Sequence, residues 1–134
     1  MINLPAFGEV TSFSTDKESY TTDDKITFIG EEDIGKQIVN VAVKNPGGKL
    51  VVLRSGIAES DGTFALIPIN VEDIFSSSGT YTATAFTNEQ AVQNGTTIML
   101  QYSNGVVSLV PEIVLELKPI QRNWTVEEGT KLSF

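Results

Sequence analysis

The chain has 134 residues, room for one domain of ordinary size and a remainder. It carries 9 Lys and Arg against 17 Asp and Glu, a formal charge of −8, which excludes a nucleic-acid partner because phosphate binding demands a basic patch. With neither cysteine nor histidine, it has no disulfides, thiolate zinc sites, imidazole ligands, or Ser-His-Asp or Cys-His nucleophiles.

No run approaches the ~18 apolar residues of a membrane helix, so membrane insertion is not expected. Met1-Ile2-Asn3-Leu4-Pro5 lacks the basic region and apolar stretch of an export signal, so an extracellular destination presumes a signal removed from a longer parent.

After a lead-in over 1–8, short β-branched and aromatic stretches recur between clusters of Gly, Asn, Asp and Ser. Strands are predicted over 9–13 and 25–29, where Ile26 and Phe28 share one face. In 37–44, Val39, Val41 and Val43 alternate with Asn40 and Ala42, the period of a half-buried strand. Asn45-Pro46-Gly47-Gly48 is a turn, because Pro presets φ and Gly accepts positive φ, and 50–53 returns as the partner strand. Ser60-Asp61-Gly62 turns into a strand over 63–69, whose Pro68 places its end at an edge or bulge. One helical turn is expected around Val71 to Phe75, followed by strands over 80–87 and 96–102.

These make about seven strands between residues 9 and 103, the count of an all-β, immunoglobulin-like β-sandwich. Residues 104–112 are expected to be a linker. Residues 113–134, with strand candidates at 113–118 and 130–134, read as one or two further strands: the truncated start of a second module, or a strand exchanged between copies. Tyr20 is placed to close one end of the sandwich, and its hydroxyl then needs a partner.

The segment Ser14-Thr15-Asp16-Lys17-Glu18-Ser19-Tyr20-Thr21-Thr22-Asp23-Asp24-Lys25-Ile26-Thr27-Phe28 resembles the opening of macroglobulin-like and archaeal surface immunoglobulin-like modules, with Asp23 in place of a usual Gly. Ser60-Asp61-Gly62-Thr63-Phe64 and Ser78-Gly79-Thr80-Tyr81 follow in the order such modules show. Leu117 to Phe134, with Val126-Glu127-Glu128-Gly129, is similar to the opening of a cadherin-like or other immunoglobulin-type repeat. The resemblance implies an architectural repeat of a cell-surface or S-layer protein of the ammonia-oxidising archaeal lineage; the alternatives are a ligand-binding module, for carbohydrate or protein adhesion, of a larger secreted protein, and a strand-exchange assembly subunit. Its partners would be neighbouring modules, other copies of itself or surface glycans.

Chemistry has little to work with. The paired carboxylates Asp23-Asp24, Glu31-Glu32-Asp33, Glu72-Asp73 and Glu127-Glu128 are sequence neighbours, and neighbours on a strand face opposite ways, so they make no general acid and base. No enzyme activity and no cofactor are expected. Calcium is the one ion candidate, through Asp16, Glu18, Asp23 and Asp24 in one loop, set against a plain solvated acidic face. Asn94-Gly95-Thr96 and Asn123-Trp124-Thr125 match the N-glycosylation pattern, making Asn94 and Asn123 the candidate glycan sites. Trp124 is expected in a core or between domains, with a sugar-binding face as the alternative.

Overall fold

The computed structural model describes residues 8–111. Their architecture is the expected all-β sandwich. One sheet has six strands in the order β2 (Ser19–Thr21), β11 (Val106–Leu109), β10 (Thr96–Ser103), β9 (Gly79–Thr87), β5 (Ile38–Lys44) and β6 (Leu50–Ile57). Facing it are β1 (Val10–Thr15), β4 (Phe28–Glu32) and β7 (Thr63–Ala65), extended by the short pair β3 (Lys25–Ile26) and β8 (Ile69–Asn70). Every pairing is antiparallel.

The core follows from two-residue alternation. Val39, Val41 and Val43 of β5 are fully buried beside Tyr81, Ala83 and Ala85 of β9, while Asn40 and Ala42 face outward. Each buried valine contributes about 1.5–3 kcal/mol relative to an exposed one. From the opposite sheet Phe13 packs on Phe28 and Phe64, with ring centroids 5.7 and 6.5 Å apart. The predicted helical turn is a 3-10 turn at Val71–Asp73, which delivers Phe75 edge-on to Tyr81 at 4.6 Å.

The strand count is corrected. The seven predicted strands become nine segments, because 25–29 changes partner at Thr27 and 63–69 breaks before Ile69; β2 and β11 are additional. Both additions are short and bury one residue each, Tyr20 and Val107, too little for periodicity to reveal. The linker expected over 104–112 is corrected too. Asn104 (φ 53°) and Gly105 (φ 76°) form a two-residue hairpin loop, whose paired positive φ angles match the twist of the flanking strands. Residues 106–109 therefore return as β11, between β10 and β2. The sandwich continues past residue 103.

Candidate functional site

The candidate calcium loop does not assemble. Asp16 accepts hydrogen bonds from the Tyr20 hydroxyl and the Thr27 N–H (3.2 Å), so it serves the turn. Asp24 accepts from the Thr21 N–H at 2.8 Å and lies 3.8 Å from the Lys17 ammonium. The Thr21 N–H first, and Lys17 after it, hold the Asp24 carboxyl below the usual carboxylate range. Glu18 and Asp23 are exposed. Among the described residues no group of three acidic side chains is close enough to hold a metal ion, which corrects the expectation for Asp16, Glu18, Asp23 and Asp24.

Tyr20 does have the partners it needs. Its ring is buried, and its hydroxyl donates to Asp16 while accepting from the Lys17 N–H at 2.9 Å. Burial first, and donation to the Asp16 carboxylate next, push its pKa from 10.0 up to about 12. The folded state therefore prefers the neutral phenol. That stability is intact below the unfolded value of about 10 and is lost as pH rises through about 12. Denaturant titrations should show stability falling over this range, and Tyr20→Phe should remove that part of the fall. Identical slopes in the two proteins would refute the assignment.

At the far end of β4, Glu32 has a role the acidic cluster did not suggest. Only 4% exposed, its carboxylate accepts the N–H groups of Ile34 and Gly35 (2.7 Å each) and Gln37 (3.1 Å). It closes the loop that carries the chain from one sheet to the other. Asp33 fastens the start of β1, accepting the Glu9 N–H at 2.8 Å.

Asn94 is exposed in the 3-10 turn Val92–Asn94, and Thr96 of its acceptor triplet donates to the Val10 carbonyl at 3.3 Å. Asn123, Trp124 and the strand candidates 113–118 and 130–134 lie outside the described residues. Of the described aromatic residues Phe86 and Tyr102 are half-buried and the others are buried.

What the surface does present is an apolar sheet edge. β6 ends the six-stranded sheet, and among the described residues no strand pairs with its outer side. Leu50, Leu53 and Ile57 are 48, 53 and 69% exposed, and Ile57 sits opposite Ile38, itself 42% exposed. The Ala58 N–H donates to Gln37 at 2.9 Å, and antiparallel alternation from that bond turns the backbone groups of Leu53, Ser55 and Ile57 toward the free edge. Arg54, the strand's one charge, bends its guanidinium onto the Leu53 carbonyl at 3.3 Å. Natural sheets guard such edges with charge, proline or bulges. Here the guard is one arginine and a bulge next to Leu50.

Residues 50–53 read in sequence as the partner strand of 37–44, and only the strand order shows that this strand lies at the rim.

No family model, no curated protein and no solved structure matches the chain. Among the described residues no helix is long and apolar enough to cross a membrane.

Proposed function

We propose that the chain is a non-catalytic structural module of an extracellular cell-surface or S-layer protein, and that it joins its neighbours, other copies of itself, through the β6 edge. The observation that carries this reading is an eight-residue edge strand with outward-facing backbone groups and exposed Leu50, Leu53 and Ile57. Such an edge is a template for strand addition: main-chain bonds supply affinity and alternate side chains supply specificity. Two antiparallel β6 strands present the same surface to each other, as a two-fold contact requires. The net charge of −8 opposes association in general but is absent from this strand, whose only charge is positive. The exposed acceptor Asn94 and the resemblance of residues 14–28 to surface modules support the extracellular placement.

Leu53→Lys is the test. It puts a charge at an exposed position, so folding stability should change by no more than about 0.5 kcal/mol. In sedimentation velocity over a concentration series the unmodified chain should form dimers. The variant should need at least ten-fold more protein to do so. A chain that stays monomeric throughout, or a variant that associates equally well, would contradict the proposal.

A further inference from the structure

The outer face of the six-stranded sheet is a second surface that nothing covers among the described residues. Strand alternation sets its composition: the residues between the buried ones turn outward, so Thr84 of β9 stands between Ala42 of β5 and Thr97 of β10. None of the six strands contains a carboxylate, and the only charge at an outward position is Lys44, at the exposed end of β5. The smaller sheet differs, with exposed Glu31 between Ser12 and Thr63 on its outer side. In a chain of charge −8, the larger face is where two copies meet with least repulsion.

This face is not flat. The 3-10 turn Val92–Asn94 lies against it as a ridge, fixed by the Asn94 N–H donating to Ala91 (2.9 Å), the Gly95 N–H to Val92 (3.0 Å) and the Gln90 amide to the Asn94 carbonyl (2.9 Å). Gly95 lets the chain come down onto the sheet, because a Cβ there would stand 2.5 Å from the Ala85 carbonyl oxygen and 2.9 Å from Cγ2 of Thr84. Beside the ridge is a hollow of about 290 Å³, lined by Ala42, Thr82, Thr84 and Thr97 and walled by Val92 and Gln93. Val92, the apolar residue of the ridge, is 45% exposed.

A knob beside a hole is self-complementary. A two-fold axis in the contact plane, running between ridge and hollow, carries each ridge over the other copy's hollow, the same patch serving on both sides. Six strands about 4.8 Å apart and roughly six residues tall cover about 29 by 20 Å, so two such faces together can bury about 1,100 Å², above the ~1,000 Å² of a specific contact. We propose that a second copy of the chain packs on this face, with Val92 of each copy seated in the other's hollow. The contact uses the face of the sheet and not its β6 edge, and it stands whether or not that edge pairs.

The test uses the unglycosylated full chain, which has no cysteine of its own. Val92→Cys and Ala42→Cys chains, mixed and oxidised, should give a disulfide-linked heterodimer in at least ten-fold higher yield than Val92→Cys mixed with Thr63→Cys, whose site is on the other sheet's outer side. In sedimentation velocity Val92→Asp should need at least ten-fold more protein than the parent to associate, and Val92→Ala an intermediate amount. Both should melt within about 2 °C of the parent, since Val92 is exposed. Any slowing of the Leu53, Ser55 and Ile57 amides on concentration should be the same in Val92→Asp as in the parent, because the β6 edge does not use the ridge. Equal crosslinking of the two mixtures, or association unchanged by Val92→Asp, would overturn this proposal and leave the β6 contact standing. A chain that stays monomeric while its Val92 and Ala42 methyl NMR signals move on adding a neutral oligosaccharide would assign the hollow to a sugar and overturn it equally.

Discussion

Glu32→Ala is expected to lower the unfolding free energy by about 3–5 kcal/mol, the range for removing one partner of a buried, charge-bearing network. The carboxylate accepts three backbone N–H groups at 2.7, 2.7 and 3.1 Å. Alanine leaves all three without that acceptor, at a position whose own side chain is only 4% exposed. The neighbourhood cannot easily relax. Gly35 stands against the Ser60 carbonyl with φ of 102°, Lys36 holds φ of 58°, and the Glu32 N–H donates to Gly62 at 2.8 Å. Glu32→Gln keeps one acceptor oxygen but turns an amide N–H₂ toward the Gln37 N–H, so an intermediate loss of about 1–2 kcal/mol is expected. Urea titrations of both variants check the order. An alanine variant within about 0.5 kcal/mol of the parent would show that the carboxylate does not organise this loop.

Gly30→Ala is expected to cost about 2–3 kcal/mol, although glycine to alanine at an ordinary strand position is neutral or stabilising through the unfolded chain. The reason is space and not backbone angle. A Cβ at Gly30 would overlap the Ser12 carbonyl across the β1–β4 ladder and lie 2.6 Å from Cζ of Phe64. Phe64 sits opposite Gly30 in the β4–β7 ladder, and its ring lies over the bare backbone that glycine leaves. Pairing Gly30→Ala with Phe64→Leu should recover part of the loss, because the shorter side chain vacates the contact. Equal stability of parent and Gly30→Ala would refute the packing described.

These residues show which features could be read before folding. Val39, Val41 and Val43 declared their strand because burial on one face leaves a two-residue period in the sequence. Asn45-Pro46-Gly47-Gly48 declared its turn by chemistry: Asn45 accepts the N–H groups of Gly47 and Lys49 at 2.9 Å each, and Gly48 takes φ of 86°. The need of the Tyr20 hydroxyl for a partner was also legible, from the cost of burying it alone. Gly30 was not. A strand reading that stops at Ile29 treats the glycine as a terminator, whereas β4 runs through it to Glu32.

The acidic clusters misled for a related reason. Composition places carboxylates near one another in sequence, but Asp16, Asp24 and Glu32 are claimed by backbone N–H groups while Glu18 and Asp23 are exposed, a division settled by loop geometry. β11 is hidden in the sequence because Asn104-Gly105 reads equally as the start of a linker and as the hairpin loop that it is. The β6 edge is a property of strand order alone. Leu50 to Leu53 would read identically in the middle of the sheet.

The central claim, that the module works by adding a strand at β6, is most directly tested by amide hydrogen exchange of Leu53, Ser55 and Ile57 in dilute and concentrated samples. Their backbone groups face the free edge, so exchange should be fast when dilute and slow at least ten-fold when concentrated, with Val39 and Val41 protected in both. Unchanged fast exchange at those three amides in a concentrated sample that sediments as a dimer would place the contact elsewhere and contradict the account.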